Sequence, residues 1–135
     1  MKPKNLIERI YLGDRGCTQL VYNREAKQIR IQVDRISFLR PGSTTWNYYS
    51  EHDLEEGWII FSGVDKVTID PPNIQPNDFI EILVDSVKDT TKLERVTIST
   101  GGVDAEGRLK EIIVSALVKD AHIENSQGKI VSPLL

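Results

Sequence analysis

The feature that most constrains this chain is an alternation of apolar and polar residues with a period of two. From Gln28 onward, Ile29, Ile31 and Val33 are separated by Arg30, Gln32 and Asp34. Successive side chains of a β-strand point to opposite faces, so this pattern builds a strand with one face in a core and the other in water. The same alternation returns at Ile112, Val114, Ala116 and Val118, within Leu109 to Glu124. Shorter runs that read as strands are Leu6 to Leu12, Gln19 to Tyr22, Trp58 to Phe61, Val64 to Ile69, Asp78 to Val87 and Leu93 to Thr100. About eight strands follow.

Both long runs change parity without a turn residue between the two sets. Ile36 and Phe38 take even positions after an odd set, and Ala121 and Ile123 take odd positions after an even one. One inserted residue near Asp34-Arg35 and another near Lys119-Asp120 would restore a single buried face, which predicts a β-bulge at each place. A strand that bends from one sheet into another swaps its buried face in the same way.

The connections carry turn chemistry: Gly13-Asp14-Arg15-Gly16, Asn23-Arg24-Glu25-Ala26, Pro41-Gly42-Ser43, Ser62-Gly63, Asp70-Pro71-Pro72-Asn73 and Gly101-Gly102 before Asp104-Ala105-Glu106-Gly107. Gly and Asn supply positive φ, and Pro interrupts pairing because it has no N–H. One stretch, Ser50 to Glu56, reads as a short helix, with Ser50 as cap, Asp53 three residues on and Gly57 as stop. The expected fold is all-β: an antiparallel β-sandwich or flattened barrel of about eight strands with one short helix. Residues 1–135 form one domain, with 125–135 expected to fray.

Composition agrees with a single globular core. The chain has 135 residues, 39% hydrophobic and 27% charged, and nowhere do 18 apolar residues run together, so no membrane span is expected. A net charge of −3 argues against nucleic-acid binding, which needs a basic surface. The single cysteine, Cys17, forms no internal disulfide, which suits a cytoplasmic setting. The basic start is broken at once by Glu8-Arg9, so no export signal is expected.

Recognisable catalytic spacing is missing. His52 and His122 stand in no metal-ligand pattern; His52 and Glu56 are i, i+4 on the expected helix, where an ion pair accounts for them. His122 is expected on a strand edge with a solvated ring. Cys17 is expected as a partly buried small residue rather than a nucleophile. Asp104-Ala105-Glu106-Gly107 lacks the further ligands of an EF-hand, since position 115 is Ser. Gly101-Gly102 matches no phosphate loop. No catalytic residue, cofactor or metal is expected.

Charge and aromatics single out the middle of the chain. Residues 1–45 hold nine Lys/Arg and four Asp/Glu, residues 46–90 two and ten, and residues 91–135 six of each. Glu51, Asp53, Glu55 and Glu56 lie within six positions, and Trp46, Tyr48, Tyr49 and Trp58 put four of the nine aromatic residues within thirteen. Trp58, inside the run Trp58-Ile59-Ile60-Phe61, is expected in the core. Aromatic anchors beside carboxylates suit an interface with a basic protein. The candidate partner-binding residues are therefore Trp46, Tyr49, Glu51, Asp53, Glu55 and Glu56.

Taken together, Tyr11-Leu12-Gly13-Asp14-Arg15-Gly16-Cys17, Trp46-Asn47-Tyr48-Tyr49, Glu55-Glu56-Gly57 and Asp70-Pro71-Pro72 with Pro76-Asn77-Asp78 resemble a group of small bacterial single-domain proteins of unknown function. The resemblance spans about residues 6–124 and implies a β-rich cytoplasmic protein. Small acidic proteins of this kind are similar to immunity proteins, which bind and block a partner toxin. The expected function is thus a non-enzymatic protein-binding module. The alternative is a small-ligand or carbohydrate-binding sandwich, which a pocket lined by Trp46, Tyr48 or Tyr49 would favour.

Overall fold

Alternating strands bury their apolar faces only against a second layer. The computed structural model describes residues 1–39 and 48–131, and the side chains of residues 48–52 lie outside that description. A short helix, α1 (Pro3–Ile7), precedes β1 (Ile10–Tyr11), β2 (Cys17–Asn23), β3 (Gln28–Leu39), β4 (Tyr48–Ser62), β5 (Asp65–Asp70), β6 (Gln75–Pro76), β7 (Glu81–Ser86), β8 (Glu94–Val103), β9 (Leu109–Val118), β10 (Asp120–Glu124) and β11 (Ile130–Val131). Eight of these strands have five residues or more; β1, β6 and β11 are two-residue additions.

The strands form two antiparallel sheets packed as an open sandwich. In sheet A, β1 and β2 share one edge of β3, followed by β4, β10 and β11. In sheet B the order is β5, β9, β8, with β6 and β7 sharing the far edge of β8. The inner faces meet in one core that includes Ile29, Ile31, Val33, Ile59, Phe61, Val96, Ile98, Ile112, Val114 and Ile123, each at most 1% exposed. Burying each such side chain contributes about 1.5–3 kcal/mol, so this interior outweighs any single surface contact.

Two strands cross between the layers side by side. β4 leaves sheet A at Ser62 and enters sheet B as β5 after Gly63 and Val64, while β9 of sheet B continues through Lys119 into sheet A as β10. Lys119 N donates to Ser62 O at 3.1 Å. Gly63 has φ +63°, and a Cβ there would stand 2.7 Å from Lys119 Cβ. The parity change expected as a bulge near Lys119-Asp120 is therefore this crossing, because a strand moving between facing sheets must turn its other side inward.

At the other expected bulge, Asp34 and Arg35 are both exposed, yet β3 and β4 stay in register from Gln28 opposite Ser62 to Ile36 opposite Leu54. The extra residues lie on the neighbours instead. β2 shifts between Cys17 and Gln19, and β4 places four residues, 50–53, against Ser37 alone. Gly16 N donates to the Asp34 carboxylate at 3.0 Å and Asp34 N to Gly16 O at 2.9 Å, which holds the exposed turn of β3 against β2.

Three further expectations change. Leu6 and Ile7 lie in α1, which opens on Pro3, rather than in a strand; Leu6 is fully buried, and α1 packs against β7, β8 and β10 at one end of the sandwich. Gly101 and Gly102 continue β8, because a Cβ on Gly102 would meet Gln75 O at 2.5 Å and its absence lets β6 pair there. The turn falls later, where Asp104 Oδ1 accepts from the amides of Glu106 and Arg108. Finally, residues 125–131 are tied down: Asn125 Oδ1 accepts from Gln127 and Lys129, and β11 pairs with β10.

Candidate functional site

The acidic segment is strand, not helix. Glu51, Asp53, Glu55 and Glu56 all fall within β4, where Leu54 lies opposite Ile36 and Glu55 opposite Arg35. A single turn or two of helix is unstable alone, whereas β3 offers a template ladder and Leu54 packs against the core. Arg35 Nη2 stands 3.3 Å from Glu55 Oε1, and its Nε stands 4.0 Å from Asp53 Oδ2. Asp53 is only 8% exposed at its side chain, whereas Glu55 is 77% exposed, so the free charge here is chiefly that of Glu55 and Glu56. Trp46 lies outside the described residues, and Tyr49 and Glu51 are placed by their backbone alone.

Trp58 is not in the core. Even positions of β4 from 58 onward face away from sheet B, and Trp58 sits half-buried on the outer face of sheet A beneath the Arg30 guanidinium, 5.2 Å from the ring. The neighbouring Glu124 carboxylate binds Arg30 Nη2 at 3.2 Å and His122 Nε2 at 2.7 Å. Burial raises the pKa of Glu124, but hydrogen bonds from His122 and Arg30 and their positive charge outweigh it and hold the carboxyl below its ordinary value. His122 therefore stands inside sheet A, between β4 and β11, and not on an edge. Together these residues cover Ile60, which is fully buried although it points outward.

The outer face of sheet B has a different character. Cross-strand rows bring Glu81, Ser99, Ile113 and Asp70 together, then Leu83, Thr97, Ser115 and Thr68, then Asp85, Arg95, Leu117 and Asp65. Leu83 is 53% exposed and Ile113 40%. At the end of the face Phe79 and Leu109, 66% and 82% exposed, flank a groove of about 470 Å³ lined also by Asp78, Glu81, Ser99, Glu111 and the exposed Lys110. Glu81, Asp85, Glu111 and Asp70 are all exposed, and Arg95 is the one exposed cation in these rows. Four exposed apolar side chains interleaved with four carboxylates on one sheet face form the kind of patch that marks an interaction site.

This face was legible in outline. Phe79, Glu81, Leu83 and Asp85 share one parity, opposite that of Ile80, Ile82 and Val84, so β7 carries apolar residues on both sides.

Cys17 opens β2 at 1% exposure, and burial pushes its thiol from 9.0 up to about 12 despite a backbone contact to Gln19. Among the described residues no group of three or more His, Cys, Asp or Glu is placed to hold a metal ion. No helix among them is long and apolar enough to cross a membrane. A model of a family of unknown function matches residues 1–131 of the chain. No curated protein and no solved structure matches it.

Proposed function

The chain belongs to the family of unknown function DUF6258, which passes on no activity, and from its own geometry we propose that it is a non-enzymatic module that binds a basic protein partner through the outer face of sheet B. The supporting observation is the composition of that face: Phe79, Leu83, Leu109 and Ile113 exposed among Asp70, Glu81, Asp85 and Glu111. Exposed apolar side chains supply affinity once desolvated, and the surrounding carboxylates steer a basic partner into place. The paired antiparallel strands beneath fix the backbone, so binding has side chains but no loop to order. In its finer form the reading is that of a cytoplasmic immunity-type protein, which blocks the partner it captures. The exposed pair Glu55 and Glu56 lies on sheet A, and Arg35 already engages Glu55, so it stands apart from this surface.

Parallel capture from a lysate of the source cell tests this reading, with three immobilised baits: the wild-type chain, the variant E81K/D85K/E111K, and the variant E55K/E56K. A basic protein retained by the first and third baits and lost from the second supports the reading. An identical set of proteins on all three folded baits defeats it.

A further inference from the structure

The sandwich is incompletely filled along one side. Leu20 and Tyr22 of β2 lie opposite Ile31 and Ile29, and Ile69 of β5 lies opposite Val114, so these side chains point into the interior. Ile29, Ile31 and Val114 are at most 1% exposed, but Leu20, Tyr22, Val67 and Ile69 are only half-buried. With Ile74 and Ile112 they line a cavity of about 620 Å³ between the free edges of the two strands. That volume lies inside the range of small-molecule sites.

Both ends of this slot are closed by hydrogen bonds between the layers. Val64 N donates to Lys27 O at 3.2 Å at one end, and Gln75 Nε2 donates to Thr18 O at 2.8 Å at the other. From Thr18 to Arg24 the intervening strand spans about 20 Å at ~3.3 Å per residue. A partner strand pairing with either edge would have to run on past these closures, so the slot suits a molecule of finite length. Pro71 and Pro72 form part of its wall and offer no N–H.

The rim supplies one charge. Arg24 lines the cavity with its guanidinium 5.7 Å from the centre of the Tyr22 ring, and among the described residues no carboxylate comes within 4.0 Å of it. Apolar side chains of both strands, polar Asn73 and Gln75 in the wall and a guanidinium at the mouth that no described carboxylate neutralises match an aliphatic chain that ends in a carboxylate, which Arg binds through two parallel hydrogen bonds.

We infer that the slot between β2 and β5 binds an unbranched aliphatic carboxylic acid, its chain along Leu20, Tyr22, Val67 and Ile69 and its carboxylate on Arg24. The site is separate from the outer face of sheet B, so it stands or falls without the proposed partner. Calorimetric titration of the full chain with decanoate and, separately, with decanol tests the assignment, alongside methyl NMR spectra of the wild type. Decanoate is expected to bind about tenfold or more tightly than decanol, Arg24→Gln to remove that difference, and Val67→Phe or Ile69→Phe to weaken both ligands about tenfold. Methyl signals of Leu20, Val67, Ile69 and Ile112 are expected to shift on titration while those of Leu109 and Ile130 stay in place. The inference is overturned if folded wild-type protein shows no binding at about 1 mM decanoate, if decanoate and decanol bind equally, or if the shifts map to Leu109 or Ile130. Should both slot-filling variants fail to fold, the wild-type methyl shifts decide.

Discussion

The crossing of β4 into β5 beside that of β9 into β10 carries a quantitative consequence. Gly63 has φ +63°, a backbone region that costs a residue with a Cβ about 1–2 kcal/mol. Its added Cβ would also stand 2.7 Å from Lys119 Cβ, an atom fixed to the backbone that cannot swing aside, and forcing such an overlap costs about 1–3 kcal/mol more. Gly63→Ala is thus expected to destabilise by about 2–5 kcal/mol. For 135 residues at ~2.1 cal/mol/K each, the unfolding entropy is about 0.28 kcal/mol/K, so Tm should fall by about 7–18 °C. Gly107 provides the control. Its φ is +79°, but a Cβ there meets nothing within 4 Å, so Gly107→Ala carries the strain alone, about 4–7 °C. Thermal unfolding followed by circular dichroism, with urea titrations at fixed temperature, measures both variants. Equal losses at the two glycines would refute the close contact of the crossings.

Other consequences follow from the core, the buried thiol and the Glu124 cluster. Phe61→Ala should cost about 3–5 kcal/mol in urea unfolding because Phe61 is fully buried, whereas Phe79→Ala, at 66% exposure, should stay within about 0.5 kcal/mol; similar losses would contradict the layer assignment. With its pKa at about 12, Cys17 should hold only about one thiolate in ten thousand at pH 8, so a thiol-reactive disulfide should leave the native chain untouched and modify it fully in urea; rapid native reaction would contradict the burial. Because Glu124 is held below its ordinary value of 4.5, its charged form stabilises the fold above that pH and the contribution disappears as pH falls through the lowered value. Glu124→Gln should therefore destabilise at pH 7 and converge with wild type in strong acid, and a gap that widens toward acid would reverse the sign.

How much of this could be read beforehand depended on whether a local pattern or a distant partner decided the outcome. The alternation at Ile29 to Val33 and at Ile112 to Val118 gave strands of the expected faces because burial against a second layer enforces that period. The switch from Val118 to Ala121 was visible as parity, but whether it was a bulge or a change of sheet depended on which strands lay alongside, which no local residue reports. Ser50 to Glu56 had the cap and stop of a helix, and pairing with β3 overrode them. The candidate site was hidden for a related reason. The pairs Phe79/Leu83 and Leu109/Ile113 are far apart in sequence and join only when β8 aligns β7 with β9, whereas the acidic segment stands out because four carboxylates fall within six positions.

The proposed binding face stands on the acids and apolar residues of sheet B acting together, and association kinetics with a captured basic partner test it most directly. At low salt the E81K/D85K/E111K variant should associate about tenfold more slowly than wild type and lose most of its dependence on ionic strength, while L83A should leave association unchanged and speed dissociation. Association rates and salt slopes that match wild type in the triple variant, with its fold intact, would contradict the assignment of this face.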